Sequence, residues 1–172
     1  MPRTRNPSNH PVVCVDWCDA YAYCSAVDKR LCGRIGGGAS DYNGIADPAI
    51  SQWYDACSSG DVNVYPYGVT YDGQACNGGD KGMLGTAVVG TLDGCQSSVA
   101  EYTGVYDMSG NAWEWEDACD GEIDAQDGCR LRGGAYDYNA SGLRCDVDNY
   151  LLSTYFMRGD VQFSVGFRCC SP

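Results

Sequence analysis

Twelve cysteines stand at positions 14, 18, 24, 32, 57, 76, 95, 119, 129, 145, 169 and 170 of a 172-residue chain that has one histidine, His10. Structural zinc sites want cysteines paired at short spacing, commonly with histidine. The chain has no Cys-x-x-Cys. An even number of cysteines spread over the whole length reads as a disulfide framework, and hence as an oxidising compartment: extracellular, cell-surface or periplasmic. Residues 1–11 are polar and basic with no apolar run, so no secretory leader is visible, and a disulfide-rich chain of this kind is expected to have lost an upstream segment.

A length of 172 residues suits one domain. Residues 1–10 read as a polar arm and 11–172 as the folded unit. The formal net charge is -12, which repels phosphate backbones and argues against nucleic acid as a partner. No stretch approaches the roughly 18 apolar residues of a membrane span. The chain holds 23 Gly and 13 Tyr, a composition for loops and short strands rather than a helix bundle or a parallel α/β sheet.

Local patterns add detail. Pro11–Val15 reads as a short strand. Asp16 is placed to cap a helix whose Ala20, Cys24 and Val27 share one face, ending near Asp28-Lys29. Asp47-Pro48 is a helix start that would put Ile50, Trp53 and Cys57 on one face. Beyond Ser58 no further helix is expected. Turn pairs at Asp72-Gly73, Asn77-Gly78, Asp93-Gly94, Ser109-Gly110 and Asp127-Gly128 separate short strands at Val105-Tyr106, Ala112–Trp115, Leu131-Arg132 and Gly166–Cys169. The glycines between Gly33 and Gly38 fit neither dinucleotide nor Walker spacing and read as a loop insertion. Asn139-Ala140-Ser141 is a glycosylation triplet to which no weight is given.

The densest signal is residues 107–115. Asp107 and Glu114 are hard oxygen donors seven residues apart, and Gly110 lets the backbone turn between them. Two carboxylates with carbonyls exposed in the turn suit calcium. Spacing alone leaves the alternative of a plain turn with two solvated acids beside two core tryptophans.

The same residues carry a resemblance. Asn9 to Trp17, Ala20 to Cys24, Lys29-Arg30-Leu31, Gln52 to Cys57, Tyr65-Pro66-Tyr67-Gly68, Gly104 to Trp115, Arg132 to Tyr136 and Gly166 to Cys169 occur in the order of the formylglycine-generating-enzyme (sulfatase-modifying-factor) family. The resemblance implies an α+β, C-type-lectin-like fold with two short helices, a small twisted sheet and long disulfide-bonded loops. It implies a calcium site of the Asp107 and Glu114 side chains with the Gly110 and Ala112 carbonyls. A second site would begin at Asn77, with Gly78 and Asp80 as further candidates. It also implies disulfides Cys24–Cys169 and Cys57–Cys145. Cys76–Cys95 and Cys119–Cys129 are expected as local bridges, each closing a turn-rich loop. The remainder is assigned as Cys14–Cys170 and Cys18–Cys32.

The chain departs from the enzymes of that family in one chemical respect. Those enzymes resemble one another in two copper-binding cysteines shortly after the Arg-Gly-Gly turn, where soft thiolates hold Cu(I). Here residues 135–144 contain no cysteine, and Ala135 stands where the enzymes carry Ser. Nor does the chain hold the family's usual first strand, and its single histidine cannot supply the iron site of the sulfoxide synthases that resemble it in part. No catalytic residue is therefore assigned. The reading is a secreted, calcium-stabilised, non-catalytic binding or structural module. Trp113, Tyr136, Tyr138, Asn139 and Arg144 are its candidate surface for a protein, peptide or glycan ligand. The alternatives are a formylglycine-generating-type oxidoreductase acting on sulfatase cysteine, and a self-assembling subunit of an extracellular filament or surface layer.

Overall fold

The structure, a computed structural model, describes residues 9–122, 124–149 and 155–172. Two short helices and five short strands carry the fold: α1 Trp17–Ala26, β1 Arg30–Leu31, α2 Gln52–Ser58, β2 Trp113–Cys119, β3 Cys129–Arg132, β4 Val165–Phe167 and β5 Cys169–Cys170. Beyond α2 the only helical structure among the described residues is three single 3-10 turns, as the turn-rich sequence implies. The central sheet has the order β3-β2-β4, with β3 antiparallel and β4 parallel to β2. β1 and β5 form a separate antiparallel pair.

α1 starts where Asp16 caps it: the Asp16 carboxylate accepts the Asp19 N–H at 2.7 Å. Trp17, Ala20 and Cys24 turn one face inward. The helix stops at Ala26, because Val27 leaves helical geometry and Asp28 adopts φ 57°. α2 begins later than Asp47-Pro48. Asp47 instead folds a turn, its side chain accepting the Ala49 N–H, and Ser51 is the true cap, accepting the Tyr54 N–H at 3.0 Å. The Ser51 hydroxyl also donates to Glu116 at 2.6 Å, so the cap is fixed by a tertiary contact that local sequence does not reveal.

Residues 11–15 do not form a strand. Pro11 has no N–H to donate. Cys14 adopts φ 63°, which breaks the extended run, and bonds from the Cys14 N–H to the Gln162 carbonyl (3.1 Å) and from the Trp115 indole to the Val15 carbonyl (3.1 Å) tie the segment down. Val105-Tyr106 is likewise irregular. Of the expected arm, Asn9 and His10 pack on the body: the Asn9 carbonyl accepts from Val89, and His10 meets the Thr86 hydroxyl at 3.0 Å. Residues 1–8 lie outside the described residues.

β2 is buried on both faces, and its two-residue period sorts them. Trp113 and Trp115 enter a core with Trp17, Ala20, Leu31, Leu131 and Val165. Glu114 and Glu116 point the other way, Glu114 to Trp53 of α2 and Glu116 to its cap Ser51. Charges buried this deeply need partners. Glu116 lies 3.7 Å from Arg132, and Arg130 meets Asp148 at 2.6 Å. Burial pushes the Glu116 carboxyl up from its ordinary value while Arg132 pulls it back. The same arginines clamp the loop that precedes α2, Arg130 donating to the Tyr42 carbonyl and Arg132 to that of Ile45, and Arg132 also donates to the Cys145 carbonyl beyond β3.

Five disulfides lock these layers: Cys24–Cys169, Cys32–Cys170, Cys57–Cys145, Cys76–Cys95 and Cys119–Cys129. Four match the expected pairs. The assignments Cys14–Cys170 and Cys18–Cys32 are wrong. β1 pairs with β5 so that Arg30 faces Cys170 and Leu31 faces Cys169. Adjacent strand residues point to opposite faces, so Cys169 reaches α1 while Cys170 reaches Cys32, just past β1. Cys14 and Cys18 are left as exposed thiols.

Candidate functional site

The turn ahead of β2 is built from conformations that few residues adopt. Asp107 (φ 59°), Gly110 (φ 73°) and Asn111 (φ 65°) all lie in the left-handed region. Gly110 is required by space as well, because a Cβ there would sit 2.2 Å from the Asn77 carbonyl oxygen. The close approach joins the two expected metal loops. Asn111 donates its N–H to the Asn77 carbonyl at 2.8 Å, and the Asn77 side chain donates to Asn111 Oδ1 at 3.2 Å.

Asp107 and Glu114 line one cleft of about 360 Å³, together with Asn111, Ala112, Tyr106 and Arg168. One Asp107 oxygen accepts the Gly90 N–H at 2.8 Å. Burial pushes the Asp107 carboxyl up; the Gly90 bond and Arg168 pull it down, and Glu114 adds to the rise. Glu114 is held more firmly than its sequence context suggests. Arg168 grips both of its oxygens at 2.6 Å, and Trp53 donates its indole N–H at 2.8 Å. Arg168 is a site residue that sequence reasoning missed. It lies 54 residues from Glu114, and no local pattern couples the two.

Do these residues fit calcium? Among the described residues no cluster of three or more His, Cys, Asp or Glu side chains is arranged for a metal, so a site here must draw on carbonyls. Asp107 has one oxygen outside the Gly90 bond. No hydrogen bond to the Gly110 or Ala112 carbonyl occurs among the described residues. A carboxylate offers about four lone-pair sites. Glu114 uses three, two on Oε2 and one on Oε1, which leaves Oε1 one to give. These are hard oxygen donors of the kind calcium takes, and the Glu114 carboxylate would be shared between such an ion and Arg168.

At the second loop Asn77 is fully buried, and its Oδ1 is a buried oxygen without a hydrogen-bond partner. That orphaned acceptor suits a cation. Asp80 is exposed, and its carboxylate accepts the Tyr71 hydroxyl at 2.9 Å. Gly78 packs under Leu143 and the Tyr138 carbonyl.

The segment after the Arg-Gly-Gly turn is tied from several sides. Gly110 donates to the Gly133 carbonyl, Gly79 to that of Tyr138, Ser109 to that of Leu143 and Tyr65 to that of Ala140. Trp113 is 3% exposed and meets the Tyr138 ring edge-on at 4.9 Å, so it supports the loop from beneath. Tyr136 and Tyr138 are partly buried, and Asn139 is exposed. Arg144 pairs with Asp146 through two bonds of 2.6 and 2.7 Å. Ala135 is fully buried, and Cys145 is bridged to Cys57. Among the described residues this loop therefore has no free thiol; the two free thiols of the chain are at the start of α1.

Comparison with known proteins gives consistent results. The profile of the sulfatase-modifying factor enzyme 1-like domain matches residues 1–171. A bovine protein named inactive C-alpha-formylglycine-generating enzyme 2 is 30% identical over 178 residues, covering 97% of this chain and 52% of its own length. The mouse formylglycine-generating enzyme is 31% identical over 122 residues, 63% of this chain and 27% of its own. The chain thus spans between about a quarter and about half of these relatives. Among solved structures, CarF superposes with a TM-score of 0.66 at 20% identity, covering all of this chain and 71% of its own. PvdO from Pseudomonas aeruginosa superposes with a TM-score of 0.65 at 20% identity, covering 98% of this chain and 64% of its own.

Proposed function

Because the chain belongs to the sulfatase-modifying-factor family, yet carries no thiol at residues 135–144, we propose that it is a non-catalytic binding or structural module of that fold, secreted and stabilised by calcium. The observation that carries the reading is the fate of Cys145. It is the first cysteine after the Arg-Gly-Gly turn, and its sulfur is bonded to Cys57. Soft-metal redox chemistry needs thiolates, and a disulfide offers none. Two relatives that align with nearly the whole chain, from cattle and mouse, are themselves named as inactive. No helix among the described residues is long and apolar enough to cross a membrane, which agrees with a secreted module. A Cu(I) competition titration tests this reading, run on the Cys14→Ser/Cys18→Ser variant so that the two free thiols do not contribute. The expected result is no copper retained against a Cu(I) chelator. Stoichiometric retention overturns the proposal.

In this reading the surface offered to a ligand is the anchored segment 136–144. Tyr136, Asn139 and the Arg144–Asp146 pair face outward on a base held by Trp113 and Tyr138. A protein, peptide or glycan would be met by mixed aromatic and polar contacts.

Calcium would be held by the Asp107 and Glu114 carboxylates with the Gly110 and Ala112 carbonyls, and it would supply positive charge against two buried acids. A ligand that binds only the folded state stabilises it by RT ln(1 + [L]/Kd), about 2.7 kcal/mol at a hundredfold excess over Kd. Millimolar calcium should therefore raise the melting temperature above its value in EDTA, and magnesium, which prefers a tighter octahedron, should raise it less. Asp107→Asn should weaken the response. Identical melting in EDTA and in calcium would remove the metal from the reading.

A further inference from the structure

β2 carries an acid where its alternation calls for core. Trp113 and Trp115 face inward, and Asp117 is the next residue of that face. The pairing of β2 with β3 shifts register between Trp115 and Cys119, and a shift of this kind re-aims the side chain inside it. The Asp117 N–H donates to the Cys32 carbonyl at 2.8 Å, and its carbonyl accepts the Ser40 N–H at 2.6 Å. Its half-buried carboxylate has no hydrogen-bond or ion-pair partner among the described residues. Asp117 lines a cleft of about 680 Å³ with Trp17, Tyr21, Asp120, Glu122 and Arg158. We propose that this cleft binds a guanidinium group, carried by an arginine of a peptide or by a free alkylguanidine.

Three carboxylates stand against one guanidinium here, so the cleft attracts a cation. Arg158 is not open to an anion. Its two terminal nitrogens donate to the Glu122 and Gly121 carbonyls at 2.7 and 2.9 Å, and Asp127 lies 3.8 Å away. Asp120 is committed too, accepting the Gly128 N–H at 2.7 Å and the Tyr155 hydroxyl at 3.2 Å. Glu122 is exposed and adds field rather than a fixed contact. Asp117 is the acceptor that is left. Burial pushes its carboxyl up from the ordinary value, while Arg158 and Arg30 pull it down, so a further cation brings a desolvated acid its missing counter-charge. Among the described residues no three acids are grouped for a metal ion, which points to an organic cation.

The aromatic wall selects a flat one. Arg158 lies over the Trp17 ring at 4.5 Å, and Tyr21 stacks on the same ring at 4.9 Å, 19° from parallel. Tyr21 is still 46% exposed, so its outer face is free for a second cation. A guanidinium stacks on rings and meets both oxygens of a carboxylate at once, whereas an ammonium is a strongly hydrated point charge. Gly38 and Ala39 also line the cleft, and their N–H groups have no hydrogen-bond partner among the described residues. They can take a main-chain carbonyl of a peptide. The cleft shares no residue with the calcium loops or with segment 136–144, so binding here is independent of both.

The test is isothermal titration calorimetry of the full chain at low salt, where exposed charge pairs are least screened. The probes are acetyl-Gly-Arg-Gly amide, its lysine counterpart and agmatine. The expected result is one-to-one binding of the guanidinium probes, unchanged between EDTA and calcium, with the lysine peptide several-fold weaker. A tripeptide tighter than agmatine assigns the source to a peptide; agmatine as tight or tighter assigns it to a free alkylguanidine. Asp117→Asn should weaken binding about tenfold or more by removing a charge-assisted pair. Tyr21→Ala should weaken it by about two- to fivefold. Tyr21 is at an exposed position, so this variant carries the test if Asp117→Asn does not fold, as read by circular dichroism. No saturable binding at millimolar probe, lysine equal to arginine, dependence on calcium, or wild-type affinity in either folded variant would each overturn the site.

Discussion

Replacing Cys57 and Cys145 together with Ala should cost about 4–5 kcal/mol of folding stability, the loop-closure value for a bridge of this span. The bridge joins residues 88 apart, from the end of α2 to the loop after the Arg-Gly-Gly turn. Total stabilities of 5–15 kcal/mol are usual, so the variant should be near its unfolding threshold at ordinary temperatures. The size should follow the closed loop. Cys24–Cys169 spans 145 residues and should cost as much or slightly more. Cys76–Cys95 spans 19 and Cys119–Cys129 spans 10, so each should cost only about 3 kcal/mol. Urea unfolding of the four double variants, under conditions that keep the other bridges oxidised, gives the ranking. Equal losses for long and short bridges would show that constraint of the unfolded chain is not how these bridges act.

Arg168→Met should be the most damaging single change around the cleft, by about 3 kcal/mol, because it strands a buried carboxylate. Arg168 satisfies both oxygens of Glu114 and also donates to the Tyr106 carbonyl at 3.1 Å. The Arg168 side chain is about a quarter exposed, which places the effect at the lower end of the range for buried pairs. Pairing it with Glu114→Gln should recover part of the loss, since the uncompensated charge goes. Calcium should also rescue Arg168→Met more than it stabilises the wild type. Without the guanidinium, Asp107 and Glu114 both lack a counter-charge, and the cation supplies it. A thermal melt of each variant in EDTA and in calcium separates these effects. No extra calcium response in Arg168→Met would mean that Glu114 serves only the ion pair.

The lectin-like scaffold is legible in the sequence because its markers are local and chemically demanding. The residue run around Gly110 and Trp115, the glycines after Arg132, and the cysteines of α1 and α2 each occupy a position where few other residues work. Cys76–Cys95 and Cys119–Cys129 follow from short loops with turn residues inside them. What escaped was long-range. β1 and β5 are two residues each, and nothing in Arg30-Leu31 signals a partner at Cys169-Cys170. Missing that ladder left Cys32 without Cys170. The start of α2 was misplaced for a similar reason: Asp47-Pro48 is a sound local start, but the Ser51 bond to Glu116 decides the matter. Arg168 was invisible as the partner of Glu114 because only the parallel pairing of β2 with β4, Glu114 opposite Gly166, brings them together.

The central claim is that this scaffold has kept the family's fold without its oxidase chemistry. The direct measurement is oxygen-dependent conversion of a cysteine-containing sulfatase-type peptide by the copper-loaded chain, followed by mass spectrometry. It is run beside the Cys14→Ser/Cys18→Ser variant, which has no free thiol outside the five bridges. The predicted result is no aldehyde product from either protein at any copper loading. Multiple turnovers that disappear on copper chelation, in the variant as well as in the wild type, would contradict it.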